Sequence, residues 1–175
     1  AKQEFFNDAS LENNIKLYKL FLASSSELKS ERDQFEIFIN RENNRLIKEN
    51  KFLRLIVWED FVDAMSRSRL QEEYNKAIEE CDVFVSLFDS KAGPYTEEEF
   101  NTAYEHFKQN GKPLIYTYFK DTITDLNNGV QNSESLLRFK TKLSELGHFQ
   151  TTFSNIHDLK YQFKMQLEKI LPSLN

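Results

Sequence analysis

Three consecutive glutamates, Glu97, Glu98 and Glu99, follow Thr96 in the run DVFVSLFDSKAGPYTEEEFNTAYEHF, just after an almost wholly apolar stretch breaks into a short polar loop. Carboxylates in that position have two uses. Thr96 and Glu99 have the spacing of a capping box, in which a hydroxyl and a carboxylate satisfy the free amides of a helix start. Glu97 and Glu98 would then sit in the first turn, where the helix dipole favours negative charge. The other use is an active-site acid. Phe100, Ala103 and Phe107 define the apolar face of the following helix, and Glu99 borders that face at one residue before Phe100 and four before Ala103. Glu97 and Glu98 turn more toward solvent. Glu99 is therefore the carboxylate expected to lean over the strand ends, with Tyr95 four residues earlier near it. Both uses stay open at this point.

Other chemistry is sparse. Ser24, Ser25 and Ser26 follow the apolar run LYKLFL and offer hydroxyls and helix-start amides to an anion, or serve as a plain N-cap. His106, His148 and His157 lack metal-ligand spacing, and the single cysteine, Cys81, adds no thiolate cluster. A glycine-rich phosphate cradle is missing in both its GxGxxG and GxxxxGK[ST] forms, and four glycines could hardly build one. That argues against a Rossmann oxidoreductase and a P-loop NTPase, and no GxSxG elbow supports a serine hydrolase.

The elements that would position these groups alternate along the chain. Leu17–Leu22, Phe52–Trp58, Val83–Phe88 and Leu114–Phe119 are nearly continuous in hydrophobicity, as strands covered on both faces should be, and His148–Phe153 is a weaker fifth. Segments of helical period separate them, marked by Phe35, Phe38 and Ile39; by Leu70, Tyr74, Ala77, Ile78 and Cys81; by Phe100 to Phe107; by Leu136, Leu137, Leu143 and Leu146; and by Ile156 to Leu171. Parallel strands with right-handed crossovers satisfy this order most simply, giving an α/β sandwich that spans residues 1–175 as one domain. Ligands in such sheets bind outside the carboxyl ends of the strands, which nominates the loops after Leu22, Trp58, Phe88 and Phe119. A net charge of −5 argues against a dedicated nucleic-acid surface. One cysteine fits a reducing compartment, and the absence of a long apolar run or signal pattern leads to the expectation of a soluble cytoplasmic chain without membrane partners. The opening Ala points to a processed terminus or a domain excised from a longer protein.

With those pieces in order, the sequence resembles the TIR (Toll/interleukin-1 receptor) domain family, in particular its bacterial NAD+ hydrolase branch. The resemblance is carried by FLASSS followed by ERD, by LRLIVWED, by CDVFVSLF, and by GPYTEEEFNTAYE followed by GKPLIYTYF, over roughly Leu17 to Phe119. It implies a flavodoxin-like three-layer sandwich with a five-stranded parallel sheet. It also implies cleavage of the nicotinamide–ribose bond of NAD+ by a glutamate near the start of the helix after the third strand. The family pattern of an aromatic four residues before that glutamate matches Tyr95 and Glu99, with Tyr where Trp is common, and Glu98 is the alternative if the register slips by one. By the same resemblance Glu99 holds the ribose and stabilises its developing cation, Trp58, Phe61 or Tyr95 stacks on a ring, and Ser24, Ser25 and Arg32 face phosphates. No metal or bound cofactor is needed, NAD+ being the substrate. The resemblance further implies activation by TIR–TIR self-association, driven by a fused or separate sensor domain in antiviral or immune signalling. The loop Glu59–Arg69, often rich in Gly or Pro in that family, has neither here, which leaves the geometry of self-association open.

Two further readings stand beside this one. A non-catalytic TIR adaptor would only self-associate, and would tolerate loss of Glu99. A nucleoside deoxyribosyltransferase-like enzyme of the same fold would use a glutamate at a related place, and would act on deoxynucleosides while ignoring NAD+.

Overall fold

The computed structural model describes residues 14–57, 67–89, 94–121, 134–148 and 150–174, with side chains described except at 26, 67–70 and 94–95. Strand β1 (Lys16–Ser24) is followed by a 3-10 turn and helix α1 (Lys29–Leu46), then β2 (Lys51–Ile56), α2 (Arg67–Glu80), β3 (Val83–Phe88), α3 (Pro94–Asn110), β4 (Leu114–Lys120), α4 (Glu134–Glu145), β5 (Thr151–Phe153) and α5 (Ile156–Ile170). All strand pairs are parallel, in the order β2-β1-β3-β4-β5. This is the flavodoxin-like three-layer arrangement. The chain runs from β1 outward to β2, then returns past β1 to β3, so the direction of winding reverses between β1 and β3.

Alternation along the strands sorts the core into two layers. Tyr18, Leu20 and Leu22 of β1 join Val83, Val85 and Leu87 of β3 beneath α1 and α5. Phe21 and Ala23 join Phe84, Phe88 and Phe119 beneath α2, α3 and α4. Every side chain of β3 is buried, as its unbroken apolar run requires. Cys81 closes the second layer as a buried thiol 3.0 Å from the Ile78 carbonyl, and burial pushes its pKa up to about 12. It is a packing residue rather than a nucleophile.

One polar side chain is built into the first layer. Asn43 of α1 donates to the Leu53 carbonyl and accepts from the Leu53 amide of β2, both at 2.8 Å and both buried. The carboxamide thereby pairs α1 to the edge strand as another strand would. Asn43→Ala leaves a buried donor and acceptor unpaired, and should lower stability by about 2 kcal/mol. Chemical denaturation against Asn40→Ala, an exposed neighbour, checks it.

Strands β1, β2 and β4 shift by one or two residues at their ends from the sequence reading, and two boundaries differ in a way that bears on the site or on β5. Helix α3 begins at Pro94, so Thr96 lies inside its first turn instead of capping it. Proline is pre-organised for the first helical position, and it takes the start two residues earlier. The capping box of Thr96 and Glu99 is therefore overturned. Strand β5 is also shorter than His148–Phe153, because residues 147 and 148 still finish α4. Gly147 adopts φ +70, which only glycine takes without strain, and the His148 amide donates to the Leu143 carbonyl at 2.9 Å.

Candidate active site

The reversal between β1 and β3 brings two helix starts to the carboxyl edge of the sheet, α1 over one face and α3 over the other. In register, Ser24 lies beside Leu87, and the Ser25 amide donates to the Leu87 carbonyl at 3.4 Å. The serine run thus sits where winding reverses. Arg32, one turn into α1, donates to Ser24 Oγ at 3.3 Å. Ser25 is 7% exposed and, among the described residues, its Oγ has no hydrogen-bond partner, nor does it cap the turn that it precedes. A buried hydroxyl left unmatched costs about 1–3 kcal/mol, so the plain N-cap reading of Ser25 is not what its geometry serves.

Opposite stand the three glutamates, and their environments separate them. Glu97 approaches Lys142 of α4 at 4.0 Å, while the same ammonium donates to Asn101 Oδ1 at 2.6 Å. Glu98 is exposed, and its carbonyl accepts from Thr102. Glu99 is half-buried beside Phe100 and Ala103, both fully buried against the sheet, and among the described residues no hydrogen bond or ion pair reaches its carboxyl group. Desolvation, with a smaller push from the charge of Glu98, raises its pKa to about 8. At pH 7 this acid is mostly protonated, so the fixed negative charge expected at position 99 is conditional on a cation or a higher pH.

That shift has a cost in stability. The folded state holds a proton that the unfolded chain releases above pH 4.5, so this group's contribution falls as pH rises from 4.5 through 8. Glu99→Gln should therefore match the parent at pH 4 and exceed it by on the order of 2 kcal/mol at pH 8.5, after discounting for partial exposure. Paired thermal melts at the two pH values check it; equal gains at both would remove the desolvated carboxyl from the account.

Three charged groups at this edge were not singled out from the sequence. Glu31 of α1 accepts from Lys120 Nζ at the end of β4, at 2.6 Å with both side chains largely covered. The bond to Glu31, reinforced by the charges of Glu31 and Asp89, raises the Lys120 pKa. Asp89, directly after β3, therefore stands close to this pair. Their separation of 89 residues hides the contact from any local pattern, although Asp89 and Lys120 both directly follow apolar runs. The structure thus brings Ser24, Ser25 and Arg32 together at one edge and puts Glu99 on the helix that starts over the same edge. Trp58 and Phe61 lie outside the described residues. Tyr95 is placed in the first turn of α3, four residues before Glu99, but its side chain lies outside them too. Among the described residues no cluster of His, Cys, Asp and Glu could hold a metal ion, and no helix is long and apolar enough to cross a membrane.

The family profile described as "Domain of unknown function (DUF4062)" matches residues 19–168. Among solved structures, the CMP N-glycosidase BcmB of Clostridium botulinum is similar in fold, with a TM-score of 0.51 at 16% identity, over 84% of this chain and 98% of that one. Comparison with curated proteins gives no match.

Proposed function

This chain belongs to the DUF4062 family, and from there we propose that it hydrolyses the N-glycosidic bond of a nucleotide, with Glu99 set against the ribose. The observation that carries the reading is the state of Glu99. It is a desolvated carboxyl without a partner among the described residues, at the start of α3 where the winding of the sheet reverses. Breaking a base–ribose bond builds positive charge on the sugar, and a poorly solvated carboxylate stabilises such a charge far better than a hydrated one. In this reading Ser24, Ser25 and Arg32 take phosphate oxygens. The buried hydroxyl of Ser25, unmatched among the described residues, supports that part. Trp58, Phe61 or Tyr95 stacks on the base or on nicotinamide.

NAD+ is the first substrate to test. The order of motifs resembling TIR domains favours it, and its pyridinium leaves without being protonated. A nucleoside 5′-monophosphate is the second, favoured by the fold likeness to a protein described as a CMP N-glycosidase. The chain is incubated with NAD+ and with CMP, free and clustered on a multivalent scaffold, and free nicotinamide or cytosine is followed by chromatography. Clustering is included because the TIR-like reading has self-association, prompted by a sensor module, as the trigger. Release of either base from the parent and not from Glu99→Gln bears the proposal out. Release of neither when clustered leaves the adaptor reading.

A further inference from the structure

A second place in the fold has the chemistry of a binding site, at the far edge of the sheet. Strand β5 pairs only with Tyr118–Lys120, so the first half of β4 has no neighbour on that side among the described residues. Its backbone polarity can be read from two bonds. The Asp121 amide donates toward β5, to the Phe153 carbonyl, whereas the Leu114 amide donates toward β3, to the Asp82 carbonyl. With a two-residue period, Ile115 and Thr117 face that edge; the Tyr118–Thr151 pairing takes the Thr117 carbonyl, so the groups left pointing outward are the Ile115 N–H and C=O and the Thr117 N–H.

A cavity of about 360 Å³ opens there, with Tyr116, His148, Gln162 and Gln166 among its walls. The volume falls in the range of roughly 300–1,000 Å³ typical of small-molecule sites. Among the described residues none of the lining side chains carries a full charge: Lys and Arg are absent, as are Asp and Glu, and burial lowers the His148 pKa so that the ring is neutral. His148 Nε2 lies 3.0 Å from Thr117 Oγ1, which Ser86 Oγ also meets at 3.2 Å. Gln162 is already committed to the Thr152 carbonyl, whereas Gln166 makes no hydrogen bond to a described residue.

We infer that this cavity binds an uncharged planar molecule carrying an amide or lactam edge, paired with the outward main chain of Ile115 and Thr117 and flanked by the rings of Tyr116 and His148. Such an edge presents one donor beside one acceptor, as a neighbouring strand would. A phosphate or carboxylate would find no cation among the described residues here. The inference makes no use of Glu99 and stands or falls apart from the proposed reaction.

The test is a titration of the full chain with cytosine and with nicotinamide, followed by backbone and histidine NMR resonances. At least one probe should give saturable shifts at Ile115, Thr117 and His148. The shifts should persist in Glu99→Gln, weaken at least tenfold in Gln166→Leu and vanish in Gln166→Trp, which fills the space from a half-exposed helix position. Shifts confined to Ser24, Ser25 and Glu99 would overturn the inference. So would no shift with either probe, unchanged binding in both Gln166 variants, or tighter binding of an uncharged tripeptide amide than of both probes.

Discussion

Glu99→Gln is expected to lower kcat/KM for base release by at least about a thousandfold, with far-ultraviolet dichroism unchanged and the melting temperature no lower than the parent's. The exchange keeps size and hydrogen-bonding capacity but removes both the negative charge and the transferable proton. Glu98→Gln, at an exposed position, should leave the rate nearly unchanged, which answers the question of register between the two. The pH profile then identifies the role. With a pKa of about 8 in the free protein, a carboxylate that stabilises the ribosyl cation gains population as pH rises, so kcat/KM for NAD+ should climb toward a plateau above pH 8. A protonated acid that serves a departing neutral base loses population over the same interval, so kcat/KM for CMP should fall. The two slopes have opposite sign. A profile flat from pH 6 to 9 for a substrate that is turned over would sink the assignment of Glu99, whichever base is released.

Much of the scaffold is legible in the sequence, for reasons that differ by element. Strand β3 is read to the residue, because a strand covered on both faces leaves no polar position to blur its ends. Of the three residues that name the buried face of α3, Phe100 and Ala103 are buried as the helix period requires, whereas Phe107 is exposed. What escapes is decided by tertiary contact. Nothing local links Glu31 with Lys120, or joins Ser86 and Thr117 to His148. The buried alternation of β4 even disguises Thr117 as one more strand residue. The partition of the glutamates is half legible. Helical spacing puts Glu99 at the margin of the apolar face, but the ion contact that engages Glu97 comes from Lys142, 45 residues on (142 − 97). The start of α3 escapes because Thr96 and Glu99 make a good capping pair in isolation, whereas Pro94 opens the helix two residues earlier.

Phe139→Ala tests whether α3 is held in place by the aromatic layer beneath it. Phe139 is fully buried, with its ring centroid 4.7 Å from that of Phe88, 5.3 Å from Phe100 and 6.4 Å from Phe119. It therefore touches the ends of β3 and β4 and a fully buried ring of α3 at once. The same helix grips Asn101 through Lys142, so α4 clamps the turn that carries Glu99 from two sides. Removing the ring should cost about 3–5 kcal/mol, counting lost transfer energy and the cavity left among rings that cannot all collapse inward. For a domain of this size that is a fall in melting temperature of about 10 °C. Leu137→Ala, two residues away and 52% exposed, should change stability by no more than about 0.5 kcal/mol. Because Phe100 directly follows Glu99, the Phe139→Ala protein that remains folded should also lose turnover more than its folded fraction explains, and hydrogen exchange in the first turn of α3 should quicken. Equal melting temperatures for the two alanine variants would mean that α4 does not anchor α3, and the position of Glu99 would then need another support.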